Sequence, residues 1–192
     1  MNEVLALPRR TRSNGWWGVL LLVATEASLF GTLMASYFYL RFQSHDWPPT
    51  GLGEPKTIKP GLVLLLLLVT SAPMAIASGA ALRRDRGRTL LALAASLLLG
   101  LAYSVAQIQL FREGWPQVHA KETAYGSIFV TLAGAHLAHV AAGVLVNAWL
   151  TLRVAGGITQ YRANGVRAIA LYWHVVNVLA VLVYLTLISP RL

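Results

Sequence analysis

The chain has 192 residues, 56% of them hydrophobic and only 12% charged, with no cysteine. A soluble domain of this size cannot hide so much apolar surface, so the composition is that of a membrane protein. The missing thiols exclude disulfides, thiolate metal sites, iron–sulfur clusters and covalently attached haem c. Sixteen Lys and Arg against seven acids give a net charge of +9. These bases sit in short loops beside apolar runs rather than along one face, which speaks against a nucleic-acid partner.

Five apolar runs exceed the roughly 20 residues needed to cross the hydrocarbon core. They cover residues 16–41, 59–82, 89–111, 123–152 and 165–189. The expected fold is therefore all-α, an integral membrane bundle of five transmembrane helices forming a single transmembrane domain over residues 1–192. A basic stretch, Pro8-Arg9-Arg10-Thr11-Arg12, precedes the first run like the start of a signal peptide. The run is too long for a signal-peptide core and no clean small-residue cleavage site follows, so it reads as a retained helix.

The loops set the expected orientation. One side carries Arg9, Arg10, Arg12, Arg83, Arg84, Arg86, Arg88, Arg153, Arg162 and Arg167; the other carries Arg41, Lys56, Lys59, Arg112, Lys121 and Arg191. Ten bases against six put the N-terminus in the cytoplasm and the C-terminus outside. Trp16, Trp17, Trp149, Tyr172 and Trp173 are then expected near the inner interface, and Tyr37, Tyr39 and Trp47 near the outer one.

Trp47-Pro48-Pro49-Thr50-Gly51, in the loop after the first run, must be extended and turning. Pro73 lacks an N–H, leaves the Val69 carbonyl free and predicts a kink in the second span. The fourth span is expected at the centre of the bundle. It carries His136 and His139 at i and i+3, and a face of small residues, Ser127, Thr131, Gly134, Ala135, Ala138 and Ala142, of the kind that lets helices approach in lipid.

Glu26 is the most informative single residue. It lies about ten positions, or roughly 15 Å, inside the first span. An acid at that depth is costly unless paired or neutral, and it marks function by default. No Lys or Arg lies at a similar depth, so a neutral, protonated carboxyl is expected. A structural hydrogen bond to a neighbouring helix is the competing account. His136, His139 and His174, the last placed near the inner end of the fifth span, invite a metal or bis-histidine haem reading. No second intramembrane acid supports that reading, and the differing depths oppose it. Hydrogen-bonded packing histidines, with Asn147, Asn177, Gln107 and Gln109, are the simpler expectation.

Several segments, in order, resemble subunit III of the haem–copper respiratory oxidases, the cytochrome c and quinol oxidase family. They are Trp17-Gly18, Thr25-Glu26-Ala27-Ser28-Leu29-Phe30, Tyr37-Phe38-Tyr39, Trp47-Pro48-Pro49-Thr50-Gly51, Ala77-Ser78-Gly79, Tyr125-Gly126-Ser127, Gly134-Ala135-His136-Leu137-Ala138-His139-Val140 and Tyr172-Trp173-His174-Val175-Val176-Asn177. The resemblance implies the short five-helix form and a non-catalytic subunit without haem or copper of its own. Haem and copper would lie in partner subunits. The chain would pack against oxidase subunit I and other oxidase subunits in the plasma (inner) membrane, bind phospholipid and support proton uptake.

Glu26 takes the position of the family's buried carboxylate and Arg153 that of an arginine on anionic lipid headgroups, with Trp16 and Trp17 at the same interface. His136, His139, His174 and Asn177 are the packing or lipid-linked polar residues. Asn177 stands where the family has Asp, and Gln107-Ile108-Gln109-Leu110 does not reproduce the family's Q-x-x-E-Y. These departures leave open a divergent branch, such as the accessory subunit of a nitric oxide reductase, beside a haem- or metal-binding membrane protein in its own right.

Overall fold

A computed structural model of the chain describes residues 14–49, 52, 57–118 and 121–191, and the side chains of these other than 14–16, 115–118 and 191. Arg9, Arg10, Arg12, Thr50, Gly51, Lys56 and the Trp16 side chain lie outside the described residues. Six α-helices follow in order: α1 Asn14–Gln43, α2 Ile58–Val69, α3 Ser71–Leu82, α4 Arg86–Val118, α5 Ala124–Ala155 and α6 Gln160–Ile188, with a short 3₁₀ turn at Ser189–Arg191. They make five segments long and apolar enough to cross a membrane, α2 and α3 forming one broken span.

The break has the cause the sequence predicts. Pro73 cannot donate to the Val69 carbonyl. Thr70 instead closes a tight turn, its N–H and its hydroxyl both donating to the Leu67 carbonyl at 2.9 and 2.6 Å. Local chemistry also sets the helix ends. Asp85 caps α4, its Oδ1 accepting from Arg88 N–H at 3.0 Å. Thr123 and Thr159 cap α5 and α6 through side chains that accept from Gly126 and Arg162 N–H. The turn between α5 and α6 needs Gly157, whose φ of +116° suits no side chain. Along α1 the hydroxyls of Thr25, Ser28 and Thr32 donate to carbonyls within their own helix, so these three can face lipid without an unpaired donor.

The second span, α4, α5 and α6 form a ring in which each packs on the next and α6 closes back on α2 and α3. Helix α1 lies outside the ring against α5 and α6. Half of the most apolar stretch of α6 is buried, against 11% for α1 and 33% for α5. The hub is therefore α6, which touches α1, α2, α3 and α5, and not the fourth span as expected. Of the small-residue face of α5, Ala135 packs against the cluster of Phe30 and Leu132, but the rest is not buried within the chain. Ser127, Thr131, Ala138 and Ala142 are exposed, and a Cβ added at Gly134 would meet nothing within 4 Å. What α5 buries is the opposite face, Tyr125, Leu132, His136, Val140, Gly143 and Asn147.

Trp173 fills the centre of the ring. It is 0% exposed, and a Cβ at Gly100 on α4 or at Gly143 on α5 would lie 3.1 or 3.4 Å from its indole. It is a core residue, not an interfacial one. Trp47 does reach the end of the bundle expected to face outside, where it packs edge-on between Tyr37 and Tyr125 at centroid distances of 5.4 and 5.1 Å. Trp47→Ala removes both aromatic pairs, a loss of about 1–3 kcal/mol. It is expected to lower the unfolding midpoint and to speed proteolysis of the loop after α1; unchanged proteolysis would show that the loop is held elsewhere.

Candidate functional site

Glu26 on α1 and His139 on α5 meet where α1 packs against the outside of the ring. Glu26 Oε2 lies 2.6 Å from His139 Nε2, and the side chains are 12% and 21% exposed. Oε2 has no other polar partner among the described residues. The other ring nitrogen fixes the tautomer. His139 Nδ1 is 2.6 Å from the Ala135 carbonyl oxygen, an atom that only accepts, so Nδ1 carries a hydrogen. One further proton then sits between Nε2 and Oε2, either on the acid beside a neutral ring or on the ring beside a carboxylate. Both states have no net charge, which is what a low-dielectric site tolerates. The partner for Glu26 is thus an imidazole on a neighbouring helix.

Surrounding groups hold the pair. Phe30, fully buried, sets its edge against His139 at 5.2 Å and His136 at 6.3 Å. Tyr172 on α6 donates to the His139 carbonyl oxygen at 2.8 Å. The pair closes one end of a cleft of about 490 Å³ between α1 and the α5–α6 face, walled by Val19, Leu22, Val146, Trp149, Gly165 and Ile169. The cleft runs toward the arginine-rich end. There the Arg153 guanidinium lies 5.5 Å from the centre of the Trp149 ring. Trp17 is exposed near the start of α1.

The other polar residues are placed apart from this pair. His136 is 4% exposed, edge-on to Tyr103 at 6.3 Å, and neither ring nitrogen has a hydrogen-bond partner among the described residues. His174 does not sit near the inner surface as expected. In α6, Gln160–Ile188, His174 lies at mid-helix, with Nδ1 3.3 Å from Ser71 Oγ at the break of the second span. Asn177 donates to Ser71 Oγ at 2.6 Å and Thr70 Oγ1 at 3.4 Å, tying α6 to that break. Asn147 reaches the Leu93 carbonyl at 3.5 Å. Among the described residues no group of three or more His, Asp or Glu side chains is arranged to hold a metal ion.

Fold and site together define a multi-pass helical membrane protein built around an intramembrane acid–imidazole pair. Residues 11–189 match the family pattern of cytochrome c oxidase subunit III. Similar proteins include cytochrome c oxidase subunit 3 of Bacillus subtilis, 29% identical over 95% of this chain and 87% of that protein. The same subunit of a Synechocystis strain is 27% identical over 88% and 74%, and that of Locusta migratoria 28% over 89% and 67%. The chain belongs to the cytochrome c oxidase subunit III family. It is accordingly part of a respiratory oxidase complex and associates with other oxidase subunits.

Proposed function

We propose that this chain is the non-catalytic subunit III of a bacterial-type haem–copper terminal oxidase, set in the plasma membrane with its N-terminus cytoplasmic. Its haem and copper are carried by partner subunits, and its main contact is with subunit I, which it stabilises. The carrying observation is the Glu26–His139 pair at the end of a cleft open to lipid. A pair that holds one proton without net charge can release and regain it at mid-membrane, which suits a subunit that supports proton uptake. The cleft suits phospholipid. Its walls are apolar, and Arg153 at its mouth offers a planar, bidentate donor for a phosphate, beside Trp149 and with Trp17 at the same interface.

The reading is tested by purifying the complex through a tag on this chain in mild detergent and then stripping the chain off. The haem spectrum is expected to remain with a large multi-span partner. Haem recovered with the isolated chain would overturn the reading and make ligands of His136, His139 and His174. Arg153→Leu is expected to lower the phospholipid retained per complex while leaving the haem content unchanged.

A further inference from the structure

We infer that Tyr172 is the positioning residue of the Glu26–His139 pair, acting through a notch cut in α5 at Gly143. The inference rests on the reading of that pair as a proton-holding site. Three helices meet there, and each gives one group: Glu26 from α1, His139 from α5 and Tyr172 from α6. Helix α1 touches only α5 and α6 among the described helices, so the distance between Glu26 and His139 depends on those two staying in register. The Tyr172 hydroxyl pins them at the level of the pair, donating to the backbone carbonyl of His139 itself at 2.8 Å.

That carbonyl lies on a helix, where side chains normally keep a neighbouring ring at a distance. Gly143, one turn on, removes the obstacle. A Cβ there would lie 3.0 Å from Tyr172 Cε1 and 3.4 Å from the Trp173 indole, and Trp173 is fully buried and cannot yield. The ring of Tyr172 also lines the cleft beside Glu26, so it holds the carboxyl's wall as well as the imidazole's backbone. With the His139 backbone fixed by Tyr172 and its Nδ1–H fixed by the Ala135 carbonyl, the ring has one direction left for Nε2, toward Glu26. The assignment explains why a tyrosine, rather than phenylalanine, serves in a region where a hydroxyl must find an acceptor.

The test is infrared difference spectroscopy on the intact oxidase complex, with the Glu26 bands identified by their loss in Glu26→Gln. Tyr172→Phe is expected to shift those bands and to speed hydrogen–deuterium exchange of the shared proton about tenfold, the equivalent of one neutral hydrogen bond. Gly143→Ala, on a different helix, should give the same spectral change by displacing the Tyr172 ring. Gly134→Ala, with open space around it, should change nothing. Bands and exchange that stay put in Tyr172→Phe while the melting point falls would reduce Tyr172 to a packing residue and overturn the inference. Glu26 bands that never exchange in the unmutated complex would instead sink the proton-holding reading beneath it.

Discussion

Replacing Trp173 with alanine is expected to remove about 3–5 kcal/mol of stability, the usual cost of an aromatic cavity in a closed core. For a chain of this size that is a fall of about 6–20 °C in the thermal midpoint of the purified protein. The side chain is 0% exposed and sits inside the ring of the second span, α4, α5 and α6, so no lipid tail can enter to fill the void. Between membrane helices there is little hydrophobic driving force, and cohesion comes from close packing. A lost indole is therefore a loss of contacts that nothing replaces.

Three glycines, one against this core and two away from it, give a paired control. Gly→Ala within a helix gains up to about 1 kcal/mol in propensity. Overpacking a rigid neighbour costs about 1–3 kcal/mol. At Gly100 the new Cβ would lie 3.1 Å from both Trp173 and Val144, so the cost should win and Gly100→Ala should destabilise. At Gly31 and Gly134 nothing lies within 4 Å, so the gain should win and both changes should be neutral or stabilising. A Trp173→Ala protein that melts like the parent would mean that the ring of helices does not form the core described here.

Much of this architecture is legible in the sequence, because lipid leaves the chain few choices. Apolar runs of spanning length can only be helices, and Pro73 breaks the second span where its missing N–H requires. The subunit III motifs are confirmed as family membership across residues 11–189. Facing is what the sequence conceals. Every side of these helices is apolar, so periodicity does not separate lipid from core. The small residues of α5 suggest a packing face, yet Ser127, Thr131, Ala138 and Ala142 are exposed. The buried face instead mixes His136 and Asn147 with large apolar residues, which no simple pattern marks.

Depth was recoverable in one place and missed in another. Counted from their shared end, Glu26 lies about ten residues into its run and His139 about thirteen, or roughly 15–20 Å each by helix rise. The two depths agree, and the hydrogen bond to a neighbouring helix expected as one account of Glu26 is made by His139. His174 and Tyr172 stand nine and seven residues inside the 165–189 run, so their distance from the inner surface is legible in the run itself and the expected interfacial placement does not follow from it. As an interfacial tyrosine Tyr172 has no role at the site; at mid-helix its hydroxyl must find an acceptor, and it finds the carbonyl of His139.

The Glu26–His139 pair yields the sharpest separation of stability from function. Glu26→Ala leaves a mostly buried imidazole nitrogen facing no partner, and leaving such a group unsatisfied is expected to cost about 1–3 kcal/mol. Glu26→Gln behaves differently because of the tautomer. With Nδ1–H committed to the Ala135 carbonyl, a neutral His139 presents a bare Nε2, and the glutamine amide can donate to it. That change should stay within about 1 kcal/mol of the parent. His139→Ala should cost about as much as Glu26→Ala, and the double variant clearly less than the sum, with a coupling of about 2 kcal/mol. Additive losses would mean that the 2.6 Å contact carries no energy. The functional expectation runs the other way. Glu26→Gln keeps the fold and the hydrogen bond but has no proton to give up, so the assembled oxidase should retain its haem and its melting point while its proton uptake slows as far as it does in Glu26→Ala. Equal stability with unequal function is the signature of a carboxyl kept in the membrane for its proton rather than for its packing.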